Sequence, residues 1–171
     1  MNPSQSTAHF IEIESPIGLL LTACSDKSIL AIQFGNDSKS DLTVWLESIG
    51  RIPSGEPNAV ALKLQRELAE YFAGKRRRFT VKPELIGTDF QTKIWRALME
   101  IPFGETVSYG ELANRAGRPL AARAAGGACG KNRVPILIPC HRAIASGGGL
   151  GGFGGGLDVK RQLLRLEGAE F

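Results

Sequence analysis

The chain has 171 residues, 43% hydrophobic and 22% charged, which suits one compact protein or two small domains. No apolar run reaches the roughly 20 residues of a membrane helix, and the polar start Met1-Asn2-Pro3-Ser4-Gln5-Ser6-Thr7 lacks the basic-then-apolar order of a secretory signal, so a soluble cytoplasmic protein with no membrane partner is expected. The net charge of +4 is uneven, with 10 Lys/Arg against 11 Asp/Glu in residues 1–89 and 11 against 6 in residues 90–171, and a basic half favours a polyanion such as nucleic acid.

In chain order, the first part reads as strands followed by helix. Strands are expected at residues 9–14, 19–23 and 28–34, with Ser15-Pro16-Ile17-Gly18 as a turn, closing a small antiparallel sheet. Helices follow at 41–49 and 58–73, the second with Leu64, Leu68 and Phe72 at four-residue spacing. Lys75-Arg76-Arg77-Arg78 reads as a solvated turn, and Phe79-Thr80-Val81 as a strand returning to the sheet. A boundary is expected near 83–89, dividing an N-terminal α/β domain (1–85) from a mainly helical domain (86–171) in a two-domain α+β protein.

The second part opens on Thr88-Asp89-Phe90-Gln91, a capping-box signature, with Phe90, Ile94 and Leu98 one turn apart. Ser108-Tyr109-Gly110-Glu111 repeats the capping pattern. Gly117-Arg118-Pro119 then breaks the chain before a helix at 121–129, giving a helix-turn-helix of winged-helix type. That last helix has one charged residue, Arg123, among alanines and glycines. Gly126-Gly127 costs helix stability; either close packing against a neighbour or entry into a narrow groove would account for it. Residues 147–156 hold eight glycines around Leu150 and Phe153. The segment contains GxGxxG but lacks the preceding strand and the following acidic residue of a dinucleotide site. A loop that lets backbone approach a flat ligand suits it better than a linker, and it leads into a helix at 157–166.

The chemistry centres on Pro135-Ile136-Leu137-Ile138-Pro139-Cys140-His141-Arg142, where an apolar, strand-like run delivers a cysteine with histidine next to it. A thiol is a few per cent ionised at neutral pH. An adjacent imidazole and a helical turn entered through Pro139 are two ways to raise that fraction, which predicts Cys140 as a nucleophile. Cys24 and Cys129 read as packed thiols. With three cysteines, His9 and His141, the chain offers neither a disulfide framework nor a zinc cluster, so no metal or other cofactor is assigned.

Pro139-Cys140-His141-Arg142, Asn132 eight residues before the cysteine, Ser108-Tyr109, Ala122-Arg123-Ala124 and Glu167-Gly168 together resemble the O6-alkylguanine-DNA alkyltransferase family. The likeness covers about residues 88–168 and extends more loosely to Ser15-Pro16-Ile17-Gly18 and Tyr71-Phe72-Ala73-Gly74. It implies that Cys140 takes the alkyl group from guanine O6, and from thymine O4, in double-stranded DNA. His141 would activate the thiol through a water, Glu167 orient His141, Asn132 brace the turn, and Tyr109 protonate the leaving purine. Arg123 would replace the flipped nucleotide as its helix enters the minor groove, with Ala122, Ala124, Gly126 and Arg142 beside the DNA. Tyr109, Ala143, Phe153, Gly154 and Gly155 would line the base pocket. Phe153 stands where many members carry tyrosine, and Gly152 and Gly154 replace larger side chains, which implies a roomier pocket.

This assignment is chemically coherent. The displacement needs a soft anionic nucleophile and an acid for the departing purine, and the base must be turned out of the stack. Its product is a thioether, with no acyl carbon for water to attack, so one turnover per monomer is expected. Two other readings differ in class: a thiol hydrolase using Cys140 and His141 with many turnovers, and a lesion-recognition protein without chemistry, against which the presence of Cys140 argues.

Overall fold

The computed structural model describes residues 6–35 and 39–171; Met1-Asn2-Pro3-Ser4-Gln5, read above as unlike a signal, lie outside the described residues. The chain divides into two compact units, Met1–Glu84 and Leu85–Phe171.

In the first unit, β1 (Ser6–Ile13), β2 (Leu20–Cys24) and β3 (Ile29–Phe34) form an antiparallel meander. The sheet is not purely antiparallel, however. After α1 (Lys39–Ser48), a fourth strand, β4 (Arg51–Ser54), pairs parallel with β1 and gives the order β3-β2-β1-β4. α2 (Ala59–Phe72) starts at Asn58, whose side chain accepts from the Ala61 amide at 2.9 Å, and buries Ala61, Leu64, Leu68 and Tyr71. Apolar residues at this spacing share one helix face, and burying them drives the helix onto β1 and β2.

The return strand expected at residues 79–81 does not form. The amides of Thr80 and Val81 and the Thr80 hydroxyl donate to the buried Glu67 carboxylate on α2, so these groups are not available to a strand ladder. The chain meets the sheet just beyond, in an isolated parallel bridge of Pro83 to Ile29, where the Ile29 amide donates to the Lys82 carbonyl and the Glu84 amide to the Ile29 carbonyl, each at 2.8 Å. In the basic cluster, Arg76 is not fully solvated, since its Nε donates to Glu70 at 2.7 Å.

The second unit opens with α3 (Asp89–Met99) behind the full Thr88/Gln91 capping box. Ile94, Trp95, Ala97 and Leu98 are buried, and the Trp95 indole N–H donates to the Ala128 carbonyl at 2.9 Å, fixing α3 against α5 (Ala122–Gly130). Ser108 caps α4 (Tyr109–Arg115) by accepting from the Glu111 amide at 3.0 Å. A two-stranded parallel pair, β5 (Val107–Ser108) and β6 (Ala143–Ile144), and α6 (Leu157–Glu167) complete the unit.

The run before Cys140 is not a strand. Ile138 donates back to the Val134 carbonyl at 2.9 Å and Ile136 adopts φ +75°, so the segment closes into a buried apolar turn. Among the described residues, no helix is long and apolar enough to cross a membrane.

Candidate active site

Pro139, with φ −80°, leads into a single 3-10 turn, Cys140–Arg142. The turn is fastened from α5's end by Asn132. Its amide Nδ2 donates to the Ile138 carbonyl at 2.8 Å and to Cys140 Sγ at 3.1 Å, while Oδ1 accepts from the Val134 amide at 2.9 Å. This network fixes the amide orientation and points a donor at the sulfur, where negative charge develops on ionisation. Cys140 is 7% exposed, yet it opens onto a cavity of about 280 Å³ lined by Tyr109, Gly126, Cys129, Gly130, Cys140, Gly152, Phe153 and Gly154. A larger groove of about 440 Å³ in the first unit holds no cysteine or histidine among its lining residues.

His141 follows the thiol and is fully buried. Its Nε2 lies 2.8 Å from Glu167 Oε1. Glu167 also accepts from Arg142 Nε at 2.8 Å, from a second Arg142 nitrogen at 2.9 Å and from the Gly104 amide at 3.2 Å. Burial alone would raise the Glu167 pKa, but these hydrogen bonds and the neighbouring charges outweigh it and hold the carboxyl well below the usual carboxylate range. An anion at Nε2 makes Nε2 the protonated nitrogen. Nδ1 is then the basic atom, and it is buried without a partner among the described residues. Burial lowers the His141 pKa against the pull of Glu167, so the imidazole is neutral near pH 7 and able to accept a proton.

The thiol differs from the expectation of an enriched resting thiolate. Burial pushes the Cys140 pKa up, opposed by the Asn132 amide and the Lys160 ammonium, so the resting sulfur is protonated at neutral pH. Burial together with the two neighbouring thiols also raises Tyr109 to about 12, leaving a protonated phenol at the cavity wall.

Two residues were missed from sequence. Lys160, on α6, is fully buried, and its Nζ donates to the carbonyls of Ala143 at 2.6 Å, Leu150 at 2.5 Å and Gly152 at 3.4 Å. It thereby pins the glycine loop to β6 and places a cation near both pocket thiols. A signal was available: Lys160, Leu163, Leu164 and Glu167 recur at helical spacing on one buried face. Cys129, read as a packed thiol, instead lines the cavity beside Cys140, and burial raises it to about 12.

The loop does wall the cavity, through Gly152, Phe153 and Gly154. At Gly151 (φ +70°) an added Cβ would lie 2.6 Å from the Tyr109 hydroxyl, so the close approach requires glycine. Packing inside the protein does not require the paired glycines of α5: a Cβ on Gly126 would meet the Tyr109 ring at 3.8 Å, an ordinary van der Waals contact, and Gly127 is exposed with nothing within 4 Å. Arg123 and Ala124 are exposed on the same helix and Ala122 is half-buried.

Three expected positions fall elsewhere. Arg142 does not face a nucleic-acid surface: it is 7% exposed, and its guanidinium is committed to Glu167 and to the Ile101 carbonyl at 2.6 Å. Ala143 is fully buried in the β5–β6 pair, away from the cavity lining. Gly155 is also outside the lining residues.

Comparison with known proteins identifies the family. The family described as 6-O-methylguanine DNA methyltransferase matches twice, its ribonuclease-like domain over residues 9–85 and its DNA binding domain over residues 89–169. The methylated-DNA–protein-cysteine methyltransferase of Mycolicibacterium paratuberculosis is 43% identical over 156 residues, covering 91% of this chain and 89% of the relative. The one from Methanosarcina acetivorans is 39% identical over 163 residues, covering 94% and 99%. The crystal structure of Mycobacterium tuberculosis OGT in complex with DNA superposes with TM-score 0.80 at 39% identity, covering 94% of this chain and 92% of that one. Two domain matches in register and relatives of this identity across nearly the whole length show that the chain belongs to the 6-O-methylguanine DNA methyltransferase family.

Proposed function

We propose that this protein repairs DNA by moving an alkyl group from guanine O6, and from thymine O4, onto Cys140, once per molecule. The observation that carries the reading is Cys140, lining an open-mouthed cavity with the Asn132 amide 3.1 Å from its Sγ and a His–Glu pair beginning at the next residue.

The thiol proton passes through a water to Nδ1 of His141, whose charge Glu167 stabilises. Sγ attacks the alkyl carbon as its bond to O6 breaks, a carbon–sulfur bond forms, and Tyr109 gives its proton to the departing guanine. The imidazolium proton then restores the phenol, so the net products are guanine and a thioether. The thioether offers water no acyl carbon, and the protein is consumed.

Double-stranded DNA is the partner. The relative solved with DNA supports it, as does the exposed Arg123 with Ala124 on α5. In this reading α5 enters the minor groove, Ala122, Ala124 and Gly126 allow the backbone close approach, and Arg123 fills the gap left by the flipped nucleotide. The protein acts as a monomer in the cytoplasm. Gly152 and Gly154 leave the cavity wall bare beside Phe153, which favours bulky adducts; methyl and benzyl lesions should therefore react at comparable rates.

The test is incubation with a duplex bearing one O6-methylguanine, followed by peptide mass analysis. One methyl increment on the Cys140 peptide is expected, and none in Cys140→Ala. Turnover beyond one equivalent, or methyl on Cys129 instead, would overturn the reading.

A further inference from the structure

The turn between α4 and α5 contains a residue whose conformation and exposure nothing inside the protein explains. Ala121 donates to the Arg118 carbonyl at 3.2 Å, closing a β-turn with Pro119 and Leu120 at its centre. Leu120 has φ +69°. Proline at the second position and positive φ at the third define a type II turn, where the third position calls for glycine or asparagine because a Cβ is strained there. Leu120 is one of only two non-glycine residues with positive φ among those described; the other, Ile136, is 2% exposed and packs in the turn before Cys140. Leu120 instead is 103% exposed, the most exposed of the large apolar side chains described. Ile136 therefore offsets its strained backbone by burial, and Leu120 does not.

The position of Leu120 indicates what covers it. It lies three residues before Arg123, next to the α5 N-cap Ala121, with the exposed guanidinium-bearing Arg118 and Arg123 on either side in sequence. Cations flanking one apolar side chain match the surface of a nucleic-acid strand, where phosphates alternate with the apolar faces of deoxyriboses. A protein partner or a second copy would have to accommodate both cations without an anion supplied by this turn.

We propose that Leu120 is a DNA contact, packing on deoxyribose faces along the groove wall beside the point where Arg123 enters. The proposal rests on the reading that α5 engages duplex DNA. Minor-groove proteins use leucine among the apolar side chains they set against base steps, and strained backbone is retained where a contact needs it. The contact supplies affinity without charge, so it holds at ionic strengths that weaken the arginine contacts.

The experiment uses the full-length protein with Leu120→Asn, which keeps a residue suited to positive φ and removes the apolar surface, alongside Leu120→Gly and Arg123→Ala. Affinity for a lesion-free duplex is measured across a salt series, and alkyl transfer from free O6-benzylguanine is measured in parallel. Both Leu120 variants should keep the parent melting temperature within a few degrees and bind duplex on the order of 3- to 10-fold more weakly, as expected for partial burial of a leucine. Their log–log salt slopes should match the parent, while Arg123→Ala lowers the slope. Transfer from free benzylguanine should be unchanged, because Leu120 does not line the cavity. Unaltered duplex affinity in both variants would overturn the proposal. So would equal losses on duplex and free base, or a change in self-association in place of DNA affinity. Absence of methyl on Cys140 in the parent, with the affinity pattern intact, would instead defeat the repair reading and leave the contact standing.

Discussion

Each unit of this protein buries one glutamate, and the two serve different ends. Glu67 spends its oxygens on its own neighbourhood: the Thr80 and Val81 amides, the Thr80 hydroxyl, and Arg76 at 3.8 Å. Burial would raise its pKa, but these hydrogen bonds and Arg76 lower it. Glu167 is lowered in the same way, yet one of its donors is an imidazole whose far nitrogen is left uncommitted. Both carboxylates are fully satisfied, so satisfaction by itself does not distinguish architecture from chemistry. The difference lies in whether a partner has a second functional atom to offer.

The sharpest way to test that contrast is to neutralise each carboxylate. Glu167→Gln leaves the Arg142 guanidinium buried without its anion, and removing one partner of a buried pair costs about 3–5 kcal/mol. It also frees the imidazole tautomer, so transfer to Cys140 should slow by roughly a hundredfold or more. Glu67→Gln should cost about 1–3 kcal/mol and leave the transfer rate of the folded protein unchanged. Chemical denaturation and single-turnover kinetics on the same samples separate the two; a slow Glu67→Gln would collapse the distinction.

A second substitution isolates the imidazole, with less cost to the fold. His141→Ala should lower transfer by roughly a hundred- to ten-thousand-fold with a smaller stability loss than Glu167→Gln, since Arg142 keeps its anion. Asn132→Ala removes the donor to Sγ and should reduce thiol reactivity at fixed pH by about tenfold or more, the worth of one hydrogen bond to an anion, read as the pH profile of alkylation by free benzylguanine.

The smallest effect is the pH dependence of stability. Glu67 and Glu167 are depressed below their unfolded value near ~4.3, so the stability they contribute is present above that pH and lost as pH falls through their folded values. His141 is held neutral by burial, so stability also declines as pH drops below its unfolded value near ~6.5. At the other end, Cys24, Cys129 and Cys140 stay protonated in the fold while their unfolded thiols ionise near ~8.5, so stability declines as pH rises past that point. Thermal melts should be flat between about 6.5 and 8.5, and Cys24→Ala should flatten the alkaline limb without touching transfer. An unchanged alkaline limb would mean that Cys24 does not contribute to it.

Local chemistry made much of this legible in advance. Thr88 and Ser108 announce their helices because a capping side chain must sit at a fixed offset from the amide it satisfies. The Cys140–His141 pair declares itself because nucleophile and base are adjacent in sequence. What stayed hidden depended on distant partners. β4 is four residues with a proline, and only β1 alongside makes it a strand. Residues 135–138 have the composition of a buried strand, but among the described residues they pair with no named strand. The resemblance placed Arg142 beside DNA, and sequence does not show the carboxylate that claims it. Phe79-Thr80-Val81 alternates like a strand, but Glu67 takes its amides first.

One helix sets the dimensions of the reaction chamber. Lys160 and Glu167 are seven residues apart on α6, close to two full turns, so both face inward from a single rigid rod. The first anchors the glycine loop and the second holds the imidazole, so the cavity wall and His141 are gauged from the same ruler. Inserting one residue between them would rotate one against the other by about 100°. The seven-residue spacing is therefore as constrained as the glycine at 151.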